Sequence, residues 1–158
     1  FMGAELGQWN EWNSQAQLDW MLLDYPAHRG IQSLVRSLNA LGAREGAMHG
    51  RDMDWSGFEW MDFSDFGCSV ISFVRRAPDS APILWVFNFT PVVRQAYSVP
   101  CPQGGWWTEV LNTDSALYGG SNVGNGGGAE AWPSDGHGAQ PFRLTLTLPP
   151  LGALALRK

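Results

Sequence analysis

Residues 143–148 read Arg143-Leu144-Thr145-Leu146-Thr147-Leu148, a strict alternation of polar and apolar side chains. Successive side chains of a β-strand point to opposite faces of the sheet. The period of two therefore predicts a strand whose leucines face a core, while its threonines and its arginine face outwards. This stretch indicates that the second part of the chain folds as antiparallel β-structure.

Six further segments after residue 56 show a strand pattern: 58–63, 68–75, 83–89, 94–99, 106–111 and 151–157. Residues 83–87 are apolar at every position, which predicts a central strand that is buried on both faces. Turn signals such as Pro102-Gln103-Gly104-Gly105 separate the segments, and Pro149-Pro150 links the last two. Seven short strands with hairpin-length connections predict an antiparallel all-β sandwich.

One connection is much longer than the others. From residue 112 about thirty residues show neither strand nor helix pattern, and residues 119–128 are rich in glycine. No lysine of a phosphate-binding loop follows these glycines, so we do not expect a phosphate cradle. Two interpretations stay open: a coil packed over the sheet, which the glycines and asparagines favour, and a ligand-binding loop.

The first thirteen residues, FMGAELGQWNEWN, show a different pattern. They begin like a buried strand and run directly into a loop rich in tryptophan, amides and carboxylates. In a (β/α)₈ barrel the loops after the strands face the substrate. Since a single strand cannot bury itself, we expect further chain upstream of Phe1, in a larger protein.

A helix is predicted over residues 28–44, because Ile31, Leu34, Val35, Leu38 and Leu41 fall on one face at a period of 3.6 residues. Such a stripe suits the last helix of a barrel, packed against the outside of its sheet. Beyond residue 56 the period changes to two. We therefore predict two domains: residues 1–56, the end of a (β/α)₈ barrel with its last strand, loop and helix, and residues 57–158, the β-sandwich.

Composition narrows the possible partners. The 158 residues carry a net charge of −5 and no basic run, which argues against nucleic acid. No apolar stretch approaches the ~20 residues of a membrane span. The two cysteines, Cys68 and Cys101, are expected to be free thiols in a cytoplasmic protein. His28, His49 and His137 show no metal-ligand spacing, so neither a metal nor another cofactor is predicted.

Five sets of motifs, in order over nearly the whole chain, support a more specific interpretation. They are FMGAELGQ (1–8), EWN with LDW (11–13, 18–20), GFEW (57–60), NFTP with LNTDSALYGGSNVGN (88–91, 111–125) and LPPL (148–151). Together they resemble the C-terminal end of bacterial 1,4-α-glucan (glycogen) branching enzymes, members of the α-amylase superfamily. Residues 121–140 fit this pattern least, and Trp9 and Asn10 are individual to this sequence.

The resemblance implies a transferase. The family cuts an α-1,4 glucan, holds the segment as a covalent glycosyl-enzyme and passes it to a 6-hydroxyl, by a retaining two-carboxylate mechanism. Its catalytic carboxylates lie on earlier barrel strands, so we expect no catalytic residue here, and Glu5 and Glu11 are expected to orient the loop. The implied partners are an α-glucan and the upstream remainder of the barrel. The residues expected to contact glucan are Glu5, Gln8, Trp9, Trp12 and Asn13.

Two alternatives stay open. Tryptophan covers the apolar face of a sugar ring, and although six or seven of the nine tryptophans are expected in the core, the others could bind sugar. A free-standing glucan-binding β-module would present such a platform at Trp106, Trp107 or Trp132. The second alternative keeps the superfamily and changes the reaction to hydrolysis of an α-glucan.

Overall fold

The computed structural model describes residues 2–136 and 139–158. Two helices precede eight strands, with short 3₁₀ turns at Ala4–Leu6, Trp20–Asp24, Trp55–Gly57 and Ala116–Tyr118. The helices and strands are α1 (Pro26–Arg44), α2 (Gly46–His49), β1 (Phe58–Asp65), β2 (Val70–Ala77), β3 (Ser80–Asn88), β4 (Arg94–Cys101), β5 (Gly105–Asn112), β6 (Gly128–Pro133), β7 (Phe142–Leu148) and β8 (Gly152–Arg157).

The eight strands form one continuous antiparallel sheet in the order β1-β2-β3-β8-β5-β6-β7-β4. The sheet curls until its two edge strands meet. At this seam the Tyr97 hydroxyl of β4 donates a hydrogen bond to Asp65 of β1 (2.6 Å), and Arg94 donates to the carbonyl oxygen of Cys68 (3.2 Å). The predicted antiparallel all-β domain is therefore confirmed. Its form is barrel-like: one continuous sheet takes the place of the two separate sheets expected for a sandwich.

The interior of the curled sheet holds the main core. Leu144, Leu146 and Leu148 are each at most 1% exposed, which confirms the inward leucines predicted for residues 143–148. Aliphatic side chains from five further strands meet them, together with the ring of Trp107 from β5: Val70, Val74, Leu84, Val86, Val99, Ala131, Leu154 and Leu156. Burial of these side chains is the main source of stability for the domain.

Strands β3 and β8 lie in the middle of the sheet and are buried on both faces, as predicted for residues 83–87. Their outward side chains Ile83, Trp85 and Ala155 pack with Leu41 of α1 and Ala47 of α2. The helices therefore cover the outer face of the sheet in the region of β3 and β8. The proposed division into residues 1–56 and 57–158 stays a prediction.

Strand β6 was not predicted, because it lies inside the glycine-rich connection. Its sequence alternates over only six residues and includes Pro133. The strand is held by neighbours that are distant in sequence: Trp106 lies opposite Glu130 on one side, and Arg143 lies opposite Trp132 on the other. The last two strands, β7 and β8, are consecutive in the chain but are not neighbours in the sheet.

The strand expected at the start of the chain is absent from the described residues 2–8; Phe1 lies outside them. Gly3 (φ +87°) and Gly7 (φ +60°) adopt left-handed conformations on either side of a 3₁₀ turn. A strand at this place would also need a partner strand to satisfy its backbone groups. That these residues belong to a (β/α)₈ barrel stays a prediction.

The expected burial of six or seven tryptophans is wrong. Only Trp85 and Trp107 are buried, at 6% and 0% exposure. The small interior of the curled sheet is filled by aliphatic side chains, so the other rings lie in loops or on the outer face. These are Trp9, Trp12, Trp20, Trp55, Trp60, Trp106 and Trp132.

The connection between β5 and β6 is built around Asp114. Its carboxylate accepts hydrogen bonds from the backbone N–H of Ser121 (2.9 Å) and Val123 (3.0 Å) and from the Ser121 hydroxyl (2.7 Å). Partial burial opposes ionisation of Asp114, but these hydrogen bonds outweigh it and lower the pKa below its ordinary 3.8. The structure supports the interpretation of this segment as a coil packed over the sheet.

The same connection touches α1 at Gly30. A Cβ atom on Gly30 would overlap the carbonyl oxygen of Tyr118, whereas a Cβ atom on Gly42 of the same helix would meet nothing within 4 Å. Helix and connection can approach this closely only because residue 30 has no side chain.

Gly30→Ala and Gly42→Ala form a matched pair in one helix. Alanine favours helix by about 0.8–1 kcal/mol over glycine, so Gly42→Ala is expected to stabilise the protein by up to about 1 kcal/mol. Gly30→Ala is expected to lower the free energy of unfolding by about 1–3 kcal/mol, because the overlap must be relieved by moving backbone. Urea unfolding followed by circular dichroism measures both; equal effects would show that the contact with Tyr118 does not hold α1.

Acidification is expected to weaken the Asp114 hydrogen bonds. A carboxyl with a lower pKa in the folded than in the unfolded state stabilises above its unfolded pKa, and that stability is lost as pH falls through the folded pKa. Asp114→Asn is therefore expected to lower the free energy of unfolding by about 1–3 kcal/mol at neutral pH. Between about pH 5 and pH 3 this variant is expected to lose less stability than wild type. The exposed Asp135→Asn is the control; identical pH profiles for wild type and Asp114→Asn would contradict the assignment.

Candidate substrate-binding site

The polar loop after the first 3₁₀ turn is anchored to the start of α1. Leu6 is 1% exposed, and its carbonyl oxygen accepts a hydrogen bond from Nδ1 of the buried His28 (2.8 Å). This contact requires the tautomer with the proton on Nδ1. It fixes the turn against the helix, and so it positions the residues that follow.

Trp9 packs on the same anchor. Its ring centroid lies 5.4 Å from that of His28 in an edge-to-face arrangement and 6.5 Å from that of Tyr25. The indole is nevertheless 77% exposed, so most of its surface is available to a ligand or to another part of a larger protein.

Two adjoining pockets lie beside the loop. The larger, of about 230 Å³, is lined mainly by polar side chains: Met2, Gln8, Asn10, Glu11, Asn13, Ala16, Gln17, Leu18 and Asp19. The smaller, of about 190 Å³, shares Met2, Gln8 and Asn10 and adds Ala4 and Trp12. The amide of Gln8 packs against Gly3, where any Cβ atom would overlap it, and donates a hydrogen bond to the carbonyl oxygen of Asn10 (3.2 Å).

Of the residues predicted to contact glucan, the structure brings Gln8, Trp12 and Asn13 together around these pockets. Glu5 and Trp9 are exposed and are not among the lining residues. The roles of all five in binding stay predictions. Carboxamides both donate and accept hydrogen bonds, and an indole covers an apolar ring face. This combination suits a neutral ligand that carries many hydroxyl groups.

Four polar lining residues were not among the predicted contacts: Asn10, Glu11, Gln17 and Asp19. The signal that could have found them is composition, since carboxamides and carboxylates recur between residues 8 and 19. Which of them face the pocket depends on turns such as the one in which the Asn13 side chain accepts from the N–H of Gln15 (3.0 Å).

Within 2–136 and 139–158, no group of three or more His, Cys, Asp or Glu side chains could hold a metal ion; His137 lies outside these residues. No helix in the described part is long and apolar enough to cross a membrane. Cys68 and Cys101 are free thiols, as predicted.

The three tryptophans proposed for the alternative platform differ clearly in their exposure to solvent. Trp107 is completely buried, and its indole N–H donates to the carbonyl oxygen of Gln103 (3.0 Å), so it cannot contact a ligand at the surface. Trp106 and Trp132 are 53% and 67% exposed on the outer face of β5 and β6. A platform is therefore possible only with the latter two.

Comparison with known proteins decides the family. The model of the family described as "Alpha amylase, C-terminal all-beta domain" matches residues 60–158, which span almost all of the eight-stranded sheet. The chain belongs to this family. Its similarity to individual proteins of the curated set extends further, through the loop and helices that precede the alpha-amylase C-terminal domain.

Over 157 residues, 99% of this chain, it is 63% identical to the 1,4-alpha-glucan branching enzyme GlgB of Oleidesulfovibrio alaskensis. It is 51% identical over 158 residues to GlgB of Aquifex aeolicus. The chain spans about a quarter of the length of these relatives, 24% and 25%. It aligns with their C-terminal region, as expected from the motifs.

A solved structure shares the fold of the alpha-amylase C-terminal domain and its leading segment. The catalytic module of the glycogen-degrading pneumococcal virulence factor SpuA superposes with a TM-score of 0.56 and 14% identity. The match covers 89% of this chain and 20% of that one. At this identity the likeness shows the fold alone.

Replacement of His28 tests the anchor of the loop. His28→Ala removes the hydrogen bond to Leu6 and the ring contact with Trp9, so amide hydrogen exchange of residues 6–9 is expected to accelerate about tenfold. Exchange within β3 and β8 should stay unchanged, because the core is distant from the loop. His49→Ala, at an exposed histidine of α2, is the control, and unaltered exchange in His28→Ala would show that the loop is held by other contacts.

Proposed function

We propose that this chain is the C-terminal part of a cytoplasmic 1,4-α-glucan branching enzyme. The observation that carries the proposal is the extent of the similarity: it runs over 99% of the chain, including the loop and helices before residue 60 that the family model does not match. A free-standing β-module would give no reason for the loop or for its polar pockets. Residues 1–56 would then belong to the catalytic barrel, and residues 57–158 would form the domain that follows it.

The reaction of a branching enzyme breaks an α-1,4 bond and forms an α-1,6 bond. A carboxylate attacks the anomeric carbon, the cut end leaves with a proton from a second carboxyl group, and the glycosyl group then passes to a 6-hydroxyl. We assign neither carboxyl group to this chain. Its part is to complete the barrel and to hold an α-glucan.

The pockets beside the polar loop support the second task. Gln8 and Asn13 offer amide donors and acceptors to sugar hydroxyls, while Trp12 offers an indole face to the apolar side of a ring. Glu5 and Trp9 lie on the same loop outside the pockets, and we assign them contacts further along the bound chain or with the barrel. Glucan binding by these five residues rests on their chemistry and placement.

A chimera tests the proposal directly. The aligned C-terminal segment of the Oleidesulfovibrio alaskensis enzyme is replaced by this chain, and branching of amylose is followed by counting the short chains that a debranching enzyme releases. The chimera is expected to keep branching activity within about tenfold of the parent, because 63% identity preserves most contacts. The 158-residue chain alone is expected to branch nothing.

Two variants of the chimera test the pockets. Trp12→Ala and Gln8→Ala are each expected to raise KM for amylose about three- to tenfold, whereas Trp55→Ala, at an 89% exposed ring elsewhere, should leave KM unchanged. A well-folded chimera that forms no branches would overturn the proposal. Release of new reducing ends without new branches would identify a hydrolase instead, the alternative within the same superfamily.

A further inference from the structure

One asparagine of the chain stands in the sequence setting that favours loss of its side-chain amide. The chain has seven asparagines, and only Asn125 is followed by a glycine. Because glycine has no Cβ atom, its backbone nitrogen is little hindered, and its backbone can adopt the conformations that closure of a small ring needs. Three glycines follow in succession here, at residues 126–128, in the connection between β5 and β6.

The reaction at such a pair of residues is deamidation, and its only co-reactant is water. The backbone nitrogen of Gly126 attacks Cγ of Asn125, the Cγ–Nδ2 bond breaks, and Nδ2 leaves as ammonia with the proton that the attacking nitrogen gives up through solvent. A five-membered succinimide ring results. Water then adds to one of the two ring carbonyl groups and opens the ring, which leaves an aspartate or an isoaspartate at position 125. The rate depends on how often the nitrogen reaches Cγ.

In the folded chain both ends of the Asn125 amide are held. Nδ2 donates hydrogen bonds to Oε2 of Glu109 in β5 (3.0 Å) and to the carbonyl oxygen of Thr147 in β7 (3.2 Å). Oδ1 accepts a hydrogen bond from the backbone N–H of Thr147 (2.8 Å). These partners lie 16 and 22 residues away in the sequence, so the amide is directed towards two strands. Ring closure must instead turn Cγ towards the next residue, and it therefore requires these contacts to break.

Glu109 is the partner that holds Asn125 most extensively. The same Oε2 atom also accepts a hydrogen bond from the backbone N–H of Asn125 (3.2 Å), so one carboxylate oxygen binds both the side chain and the backbone of this residue. Gly124 packs against the carboxylate, since a Cβ atom there would lie 3.1 and 3.5 Å from its two oxygens. Removal of the Glu109 carboxylate should therefore free Asn125 most directly.

We propose that Asn125 is a deamidation site of this chain, which the contacts with Glu109 and Thr147 keep closed in the folded state. Opening of the connection between β5 and β6 allows the reaction. An aspartate at position 125 has lost both Nδ2 hydrogen bonds, and it places a carboxylate beside that of Glu109 and the carbonyl oxygen of Thr147. Because like charges at such a distance repel each other, the site cannot close as before. The modification therefore makes an opening of the connection irreversible, whether or not the proposed function holds.

The experiment compares the folded with the unfolded chain. The 158-residue chain is incubated in mildly alkaline buffer below its thermal midpoint, with a parallel sample in concentrated urea, and peptide mapping by mass spectrometry measures aspartate and isoaspartate at each asparagine. In urea, Asn125 is expected to react faster than every other asparagine. In the folded chain its rate is expected to be lower by about tenfold or more, because only the open fraction reacts. Equal rates in the two samples, or faster reaction of another asparagine in urea, would overturn the proposal.

Glu109→Ala tests the contacts that keep the site closed. This variant is expected to raise the deamidation rate of Asn125 in the folded chain about three- to tenfold, and to leave the rate in urea unchanged. Glu130→Ala, at an exposed glutamate of the neighbouring strand β6, is the matched control and should react like wild type. The thermal midpoint of each variant checks its fold. A rate in Glu109→Ala no higher than that in Glu130→Ala would contradict the role of Glu109.

A second measurement needs no variant. Low concentrations of urea raise the open fraction of the wild-type chain, so hydrogen exchange of the Thr147 amide and deamidation of Asn125 are expected to accelerate by the same factor. Both processes require the Thr147 N–H to leave Oδ1 of Asn125. Faster exchange without faster deamidation would show that opening of the connection does not control the reaction, and would overturn the proposal.

The consequence of the modification is tested with Asn125→Asp, which reproduces one of the two products. Its thermal midpoint is expected to lie below that of wild type, because two carboxylates then face each other. Addition of Glu109→Gln supplies an amide donor for the new carboxylate and is expected to restore part of the loss. A midpoint of Asn125→Asp equal to that of wild type would show that the site closes again after deamidation, contrary to the proposal.

Discussion

Burial of β3 and β8 on both faces is the constraint on which the rest of this structure depends. Both strands carry apolar side chains at successive positions, such as Ile83 and Leu84, so neither face can be left in water. One face is covered because the sheet curls on itself around an aliphatic interior. The other is covered by α1 and α2. The helices are therefore part of the core of this chain, although they precede the segment that the family model matches.

The connection between β5 and β6 completes this arrangement. Its residues bury little apolar surface, and its shape comes instead from side chains that hydrogen-bond its own backbone. Asp114 is one example of this. Asn125 instead attaches the connection to β5 and β7: its amide donates to Glu109 (3.0 Å) and to the carbonyl oxygen of Thr147 (3.2 Å), and accepts from the N–H of Thr147 (2.8 Å). Because buried backbone groups need partners, this network lets a glycine-rich coil lie against a sheet and a helix without regular structure.

Much of the fold could be predicted from local patterns. The alternation in residues 143–148 and the apolar run at 83–87 each report which faces are buried. The stripe on α1 does so only in part, since Leu41 is buried but Ile31 is 40% exposed. Strand β6 could not be found in this way, because its pairing depends on β5 and β7 rather than on its own pattern. The placement of tryptophans was predicted poorly for a related reason: residue size indicates a preference for burial, whereas the volume inside a curled sheet decides how many rings fit.

In the candidate site, too, some features could be predicted from local sequence, and others depend on contacts between residues distant in the sequence. Composition identified the polar loop, and chemistry suggested which residue types could contact a sugar. Which of them line the pockets depends on the turn between Gly3 and Gly7 and on its anchor at His28, a contact between residues 22 positions apart in the sequence. Glu5 lies within this turn and is exposed, whereas Gln8 follows the turn and lines both pockets.

The seam of the curled sheet has a consequence for the behaviour of the protein in concentrated solution. Since β1 and β4 meet through side chains such as Tyr97 and Asp65, both strands keep backbone groups that could pair with another molecule, which is the usual start of edge-to-edge aggregation. Irregular register in β1 between Trp60 and Asp65, and in β4 between Arg94 and Tyr97, interrupts those rows of groups. Pro100 removes one further donor from β4. The irregularities that shape the seam thus also protect the domain from self-association through its open edges.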